Sequence, residues 1–128
     1  QLSNKKQKHS TFSDLEYLTN KVSNLMLEKK ALDIQIIDVR KITTLTDFFI
    51  ICTSESAPQT RAISDHINKQ MKKEGVKAWH IEGYENSDWV LLDYINIVIH
   101  IFSKESRKFY DLERLWADGH ITKVIDES

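Results

Sequence analysis

Apolar residues recur at helical spacing in the first third of the chain. Between residues 15 and 26 most of them fall three or four positions apart and form one stripe, with Lys21, Glu28 and Lys29 largely off it. This periodicity predicts an amphipathic helix. Ser13 and Glu16 form an S-x-x-E capping box immediately before the stripe. We therefore expect the helix to begin at Ser13.

Two further segments have helical patterns. Apolar residues spaced by four run from Ile63 to Met71, after a Ser56-Ala57-Pro58 start signal and before Gly75, a residue typical of helix ends. Near the carboxyl end, Ser103 precedes a polar segment, residues 104–115, that predicts one closing helix. Its expected shared apolar face consists of Phe109, Leu112 and Trp116.

Five segments predict strands, at residues 34–39, 48–53, 77–82, 89–94 and 97–102, and the first two of them are rich in β-branched residues. The short Ile95-Asn96 link predicts a hairpin between the last two, although isoleucine is a poor residue for the positive φ of such a turn. The order αββαβββα predicts an α/β fold, a single domain with a mixed sheet of about five strands flanked by helices. We expect this domain at residues 13–118, between a flexible N-terminal tail (1–12) and a C-terminal tail (119–128).

Composition narrows the range of partners. The 128 residues carry 18 Lys and Arg against 19 Asp and Glu, a formal net charge of −1, so we expect no direct DNA binding and no membrane association. The longest apolar runs are far shorter than the ~20 residues of a membrane helix. Cys52 is the only cysteine, which excludes an internal disulfide and favours a reducing compartment, the cytoplasm. The chain has three glycines, and they do not have the spacing of a glycine-rich phosphate loop, which excludes that kind of nucleotide site.

Candidate catalytic groups are few. Cys52 with His100 suggests a thiolate–imidazole pair, but both lie in apolar strands where a buried structural role is more common. His80 and Glu82 share a strand face, yet two ligands do not complete a zinc site. Carboxylates at the predicted strand ends are not spaced for a magnesium site. We therefore expect no catalytic residue, no metal and no cofactor. Trp and Tyr residues in the second half favour a protein-binding surface instead.

Eight segments of the chain occur together in a characteristic order: Asp33-Ile34, Thr46-Asp47-Phe48-Phe49-Ile50-Ile51, Thr53-Ser54-Glu55-Ser56, Ile81-Glu82-Gly83, Trp89-Val90-Leu91-Leu92-Asp93-Tyr94, Val98-Ile99-His100-Ile101-Phe102, Arg107-Lys108-Phe109-Tyr110 and Leu112-Glu113-Arg114-Leu115-Trp116. In order and spacing, from about Leu15 to Trp116, they resemble the ribosomal silencing factor family, also called RsfS or Iojap-like. One departure is Ile95, where the family usually has glycine.

The resemblance implies a nucleotidyltransferase-like fold without demonstrated transferase chemistry. It also implies a cytoplasmic or organellar factor that binds the large ribosomal subunit through its uL14-type protein, at the intersubunit face. There it would block joining of the small subunit and repress translation under nutrient limitation. Family members tend to dimerise, so a homodimer is expected when the protein is free. Carried over by motif position, the expected partner-binding residues are Trp89, Asp93, Tyr94, His100, Phe102, Arg107, Tyr110, Glu113 and Trp116.

Two other functions stay open at this point. One is a metal-dependent nucleotidyltransferase-like enzyme that uses Asp47, Asp88 or Asp93. The other is a purely self-associating structural dimer. Magnesium-dependent nucleotide binding would favour the enzyme, whereas failure to co-sediment with large ribosomal subunits would favour the dimer.

Overall fold

The computed structural model describes residues 12–126 and contains a mixed sheet with helices on both faces. In chain order, the elements are α1 (Phe12–Glu28), β1 (Leu32–Asp38), β2 (Phe48–Ser54), α2 (Ala57–Lys73), β3 (His80–Glu82), β4 (Trp89–Asp93), β5 (Ile97–Ser103), α3 (Lys104–Tyr110), α4 (Leu112–Leu115) and β6 (His120–Lys123). The predicted α/β class with a mixed sheet is therefore confirmed, with six strands in the described residues instead of about five.

The strands lie side by side in the order β3-β4-β5-β2-β1-β6. β2 and β5 pair in parallel at the centre, and the other neighbours pair antiparallel. All seven residues of β2 are buried, since this strand has neighbours on both sides and helices on both faces. Strands β4 and β5 form the predicted hairpin. Along its other edge, β4 pairs with β3.

The larger core lies between the sheet and the α1–α2 layer. The predicted apolar stripes of both helices point into it, as shown by Val22 and Met26 of α1 and Ile63 and Met71 of α2, each fully buried. Ser56 caps α2 by accepting a hydrogen bond from the Gln59 N–H at 3.2 Å, as its position before the helix predicts. We call this side of the sheet the helical face.

A smaller core occupies the opposite face, on which residues 12–126 place only the short helices α3 and α4. Its buried members are Ile37, Val39, Phe49, Ile51 and Phe102. Partly buried residues of β4, α4 and β6 pack against them. Because α3 and α4 are short, the coverage of this face is much thinner than that of the helical face.

The closing helix differs from its prediction. Residues 104–115 form two helices because Asp111 adopts a left-handed backbone conformation (φ 45, ψ 54) that an α-helix cannot continue through. The break also separates the expected apolar face: Leu112 and Trp116 pack against the smaller core, whereas Phe109 points into solvent with 80% of its surface exposed. The prediction of one helix with a shared face was wrong.

Three further predictions need correction, two of them at the chain ends. Residues His120–Lys123, inside the segment predicted as a C-terminal tail (119–128), form β6 and pair with β1. The predicted N-terminal tail lies outside the described residues except for Phe12, which is the first residue of α1. α1 thus begins one residue before the predicted Ser13. The strand predicted at 77–82 is shorter, with residues 80–82 paired.

Candidate functional site

The alternation of side chains along the strands places an aromatic cluster on the thinly covered face. In the register of the sheet, Trp89 of β4 lies directly opposite Phe102 of β5, and His100 lies beside Ile51 of β2. Phe49 extends the same row from β2, with its ring centroid 5.3 Å from that of His100. We call this side of the sheet the aromatic face.

Helices α3 and α4 complete the cluster. Tyr110, the last residue of α3, places its ring 4.5 Å from Trp89, and Trp89 in turn lies 4.9 Å from Phe102. Trp116, which follows α4, lies 5.0 Å from Phe49. Tilted ring pairs at these distances add about 0.5–1.5 kcal/mol each beyond the burial of their area. The rings of α3 and α4 therefore pack directly on those of the sheet.

A hydrogen bond fixes the orientation of Trp89. Its Nε1–H donates to His100 Nδ1 at 3.0 Å, which requires the neutral imidazole with its proton on Nε2. That Nε2 is buried without a partner, and burial lowers the pKa of His100 from 6.5 to about 3. His100 therefore acts as a neutral support for the indole.

Gly83 determines where the β4 strand begins. Its φ is +79, and a Cβ at this position would lie 2.0 Å from the Trp89 carbonyl oxygen. Only glycine permits this approach between the β3–β4 connection and the start of β4. The Ile-Glu-Gly motif that ends at Gly83 thus positions Trp89.

Arg107 ties the two short helices to the sheet. Its Nε–H donates to Glu113 Oε2 at 2.8 Å, and its NH1 group donates to the Asp33 carbonyl and to Thr53 Oγ1, both at 2.8 Å. The second oxygen of Glu113 is buried without a partner. Arg107 and Glu113 therefore hold α3 and α4 in place. Their charged groups are used in these bonds and are not free to pair with a partner protein.

Accessibility divides the predicted partner-binding residues into two groups. Tyr110 is 49% exposed, while Trp89 and Trp116 are half-buried, so these three can touch a partner. His100 and Phe102 are buried, so they cannot touch a partner and can only support the exposed rings that pack on them. The sequence pattern missed Phe109, which lies beside Tyr110 with the rings 4.9 Å apart and edge-on.

Asp93 and Tyr94 are not part of this cluster. Asp93 lies at the far end of β4, where its Oδ1 accepts the Ile95 N–H at 2.7 Å and stabilises the turn. Tyr94 is one residue further on, on the helical face, and its hydroxyl is buried without a partner. Burial raises the pKa of Tyr94 to about 12. The structure thus brings five of the nine predicted residues together in the aromatic cluster, namely Trp89, His100, Phe102, Tyr110 and Trp116, while Arg107 and Glu113 pair with each other in the adjoining helices.

The candidate catalytic groups are separated. Cys52 belongs to the core of the helical face, whereas His100 contacts the aromatic face, so the sheet lies between thiol and imidazole. Burial raises the pKa of Cys52 to about 12, which keeps the thiol protonated. His80 Nε2 lies 2.6 Å from Glu82 Oε2, as expected for neighbours on one strand face. In residues 12–126, no group of three His, Cys, Asp or Glu side chains is arranged to hold a metal ion.

Two of the three acids considered for a transferase use their carboxylates in structural hydrogen bonds. Asp47 Oδ2 accepts the Asn96 side-chain amide at 2.8 Å, and Asp93 binds the turn described above. Asp88 is exposed, and the bond that it accepts from the Ser103 N–H at 2.9 Å is made by its backbone carbonyl and not by its carboxylate. Within the part of the chain that the structure describes, no helix is long and apolar enough to cross a bilayer.

Comparison with known proteins gives consistent matches over most of the chain. The family model described as "Ribosomal silencing factor during starvation" matches residues 12–128. A ribosomal silencing factor RsfS of Halalkalibacterium halodurans is 37% identical over 96 residues, 75% of this chain and 82% of the relative. A mouse protein named mitochondrial assembly of ribosomal large subunit protein 1 is 31% identical over 112 residues, 82% of this chain and 49% of the relative. A crystal structure from Chromobacterium violaceum has a TM-score of 0.78 at 26% identity, covering 88% of this chain and 94% of that one.

Proposed function

The chain belongs to the ribosomal silencing factor family, and we propose that it binds the large ribosomal subunit and prevents the small subunit from joining. The match of the family model over residues 12–128 carries this proposal. The contact would be made with the uL14-type protein at the intersubunit face. Translation would then be repressed when nutrients are limiting. The name of the mouse relative, which refers to the large subunit, supports the choice of subunit.

The aromatic face has the properties of a protein-binding surface. Phe109 and Tyr110 are exposed, and Trp89 is half-buried beside them on a support of buried rings. Aromatic side chains held rigidly lose little conformational entropy on binding, which is why they dominate the affinity of protein interfaces. We propose these three residues as the anchors of the interface.

Charge on the same face favours a basic protein partner. Glu82 and Asp93 lie on this face, because Glu82 pairs with Leu91 and Asp93 continues the alternation from Trp89. Carboxylates at the rim increase the rate of association with a basic surface. The formal net charge of −1 gives no general attraction for bare RNA, whose binding depends on clustered Lys and Arg.

Light-scattering assays of subunit association test the proposal directly. Purified large subunits are incubated with the full chain, small subunits are added, and joining is followed as an increase in scattering. We expect joining to be blocked at stoichiometric excess over large subunits. Unimpeded joining at that excess would overturn the proposed function.

Matched variants test the proposed anchors. Replacing both exposed rings (Phe109→Ala with Tyr110→Ala) is expected to raise the half-inhibitory concentration by about 10- to 100-fold, as for removal of interface anchors. Tyr17→Ala is the control, since Tyr17 is 53% exposed on α1, on the opposite side of the sheet. Circular dichroism checks that both variants are folded. Equal inhibition by the double variant and the control would place the interface elsewhere.

The proposed action requires no chemical step, because occupying the intersubunit face is sufficient. Calorimetry with magnesium and a nucleoside triphosphate tests the enzymatic alternative, which predicts saturable binding at micromolar nucleotide. We also propose that the free protein is a homodimer in the cytoplasm. Sedimentation at increasing concentration measures this state, and a monomer throughout would contradict it.

A further inference from the structure

The outer edge of β3 has no neighbouring strand in the part of the chain that the structure describes. β3 is the first strand in the order of the sheet, so only β4 pairs with it. All three of its residues are exposed, and Trp79 immediately before it is 70% exposed. At the other edge of the sheet, β6 exposes only polar side chains. An open strand edge with apolar side chains is a surface on which a further strand can pair.

The middle residue of β3, Ile81, directs its backbone groups to this open edge. Asp93 lies opposite His80, and its carbonyl accepts the Trp79 N–H at 2.8 Å, so Asp93 directs its backbone groups towards β3. Residues that lie directly opposite each other pair through the same side, so His80 directs its backbone groups towards β4. The direction alternates along a strand. The N–H and carbonyl of Ile81 therefore point away from the sheet.

The sequence of β3 is complementary to itself in an antiparallel arrangement. When two copies pair about Ile81, this residue lies opposite its own copy, and His80 of each chain lies opposite Glu82 of the other. Within one chain, His80 Nε2 already lies 2.6 Å from Glu82 Oε2, and both side chains are exposed. Pairing thus sets a hydrogen-bond donor opposite a carboxylate at two symmetric positions. No like charges face each other across the axis.

We propose that β3 pairs with β3 of a second copy of the chain, so that two six-stranded sheets form one continuous sheet about a twofold axis. This inference rests on the homodimer proposed above and specifies its interface. Only one short strand of each copy takes part, so the dimer should be weak, with a Kd on the order of 10 μM. The contact lies at the edge of the sheet and leaves both aromatic faces uncovered.

A cysteine at the centre of the pairing tests its register. Directly opposed residues of antiparallel strands have Cα atoms about 4.5–5.5 Å apart, a separation that a disulfide can span. Ile81→Cys should therefore form a disulfide-linked dimer under mild oxidation, visible on a non-reducing gel, while Cys52 stays buried. Ile42→Cys is the matched control, since Ile42 is 40% exposed against 39% for Ile81 and lies in the β1–β2 connection. Equal cross-linking of the two variants would overturn the proposal.

Sedimentation at increasing concentration measures the same contact without a covalent bond. Ile81→Lys places two ammonium groups opposite each other and should raise the Kd of the dimer at least about 10-fold. Ile42→Lys is the control and should leave the Kd unchanged. A wild-type dimer that Ile81→Lys does not weaken would overturn this interface and leave the homodimer intact. A wild-type monomer at every concentration would contradict both, and the assay of subunit joining tests the silencing function separately.

An exchange of the two polar residues tests their opposition. His80→Glu places carboxylates opposite each other at two symmetric positions and should raise the Kd by about 5- to 10-fold. Adding Glu82→His restores a donor opposite each carboxylate and should return the Kd to that of the wild type. Circular dichroism checks that all variants are folded. A Kd that stays raised in the folded double variant would overturn the proposed register.

Discussion

Ile95 is the clearest case of backbone strain at a single residue. Its φ is +74, a conformation that is costly for a β-branched side chain. The surrounding hydrogen bonds enforce it: Asp93 accepts the Ile95 N–H, and the Thr46 hydroxyl donates to the Ile95 carbonyl at 2.8 Å. The sequence indicated a turn here and the unsuitability of isoleucine. The backbone adopts the positive φ at this position even though the residue is isoleucine.

Replacing Ile95 by glycine should therefore stabilise the protein. We expect Ile95→Gly to raise the free energy of unfolding by up to about 1 kcal/mol, the relief of the left-handed strain less the extra chain entropy of glycine. Urea denaturation measures the change. Ile42→Gly is the matched control, also an exposed isoleucine but without positive φ, and should lose about 0.5–1 kcal/mol. A loss of stability in both variants would show that Ile95 is not strained.

His100 makes the stability of the protein sensitive to acid. Burial lowers its pKa from 6.5 to about 3, so below pH 6.5 the unfolded chain binds a proton that the folded chain does not. The folded state therefore loses stability as pH falls from 6.5 towards 3. At pH 4.5 we expect a loss of about 2–3 kcal/mol relative to pH 7 from this group.

The control for this prediction is His100→Gln, which retains an acceptor for the Trp89 indole but does not titrate. Urea denaturation of both proteins at pH 7 and pH 4.5 gives the comparison. The variant should show a smaller loss on acidification by the amount stated above. Parallel losses in the two proteins would assign the acid sensitivity to other groups.

At the scale of elements, the sequence predicted the features that depend on a few neighbouring residues, such as helix caps and helix ends. The Ser56 cap and the Gly75 end each depend on a few neighbouring residues, and both were confirmed. The break at Asp111 was not predictable, because aspartate at a left-handed position resembles an ordinary solvent-facing helix residue. The sequence motifs identified candidate partner-binding residues but not their exposure. The packing of α3 is what leaves Tyr110 exposed while Phe102 is buried. The nucleotidyltransferase-like relationship stays a prediction.

Strand β6 was missed because its signal is short and polar. Residues His120–Lys123 contain one apolar side chain that packs inward, Ile121, on the smaller core. Ile121→Ala should lower the free energy of unfolding by about 1–2 kcal/mol, as for a partly buried isoleucine. Ile125→Ala is the control, since Ile125 is 74% exposed and should change stability by less than about 0.5 kcal/mol. Equal effects in urea denaturation would contradict the docking of β6.

Arg107 of α3 bonds residues of α4 and β2 and the Asp33 carbonyl of β1, so its loss should lower the free energy of unfolding. Arg107→Met leaves the partly buried Glu113 carboxylate without its cation, so we expect a loss of about 3 kcal/mol in urea denaturation. Adding Glu113→Gln should recover part of this loss, because it removes the uncompensated charge. Lys108→Met, at an exposed neighbouring position, is the control. Additive effects of the two substitutions would show that the pair is not coupled.

At the scale of the whole molecule, the proposed action depends on occupied volume. A protein that blocks a surface must be present on each large subunit, so inhibition should saturate near one protomer per large subunit when concentrations exceed the Kd. Light scattering at two concentrations of subunits checks this prediction. Complete inhibition at a small fraction of that ratio would indicate turnover and contradict simple occlusion.

The parallel pairing of β2 with β5 at the centre of the sheet has a consequence for biosynthesis. It joins Phe48 to Ile97, positions far apart in the chain, whereas the β1–β2 and β4–β5 pairs close locally. Each hairpin can form as soon as it leaves the exit tunnel, but the two halves cannot unite until β5 has emerged. The nascent polypeptide therefore cannot bring Phe49 of β2 beside His100 until β5 has emerged.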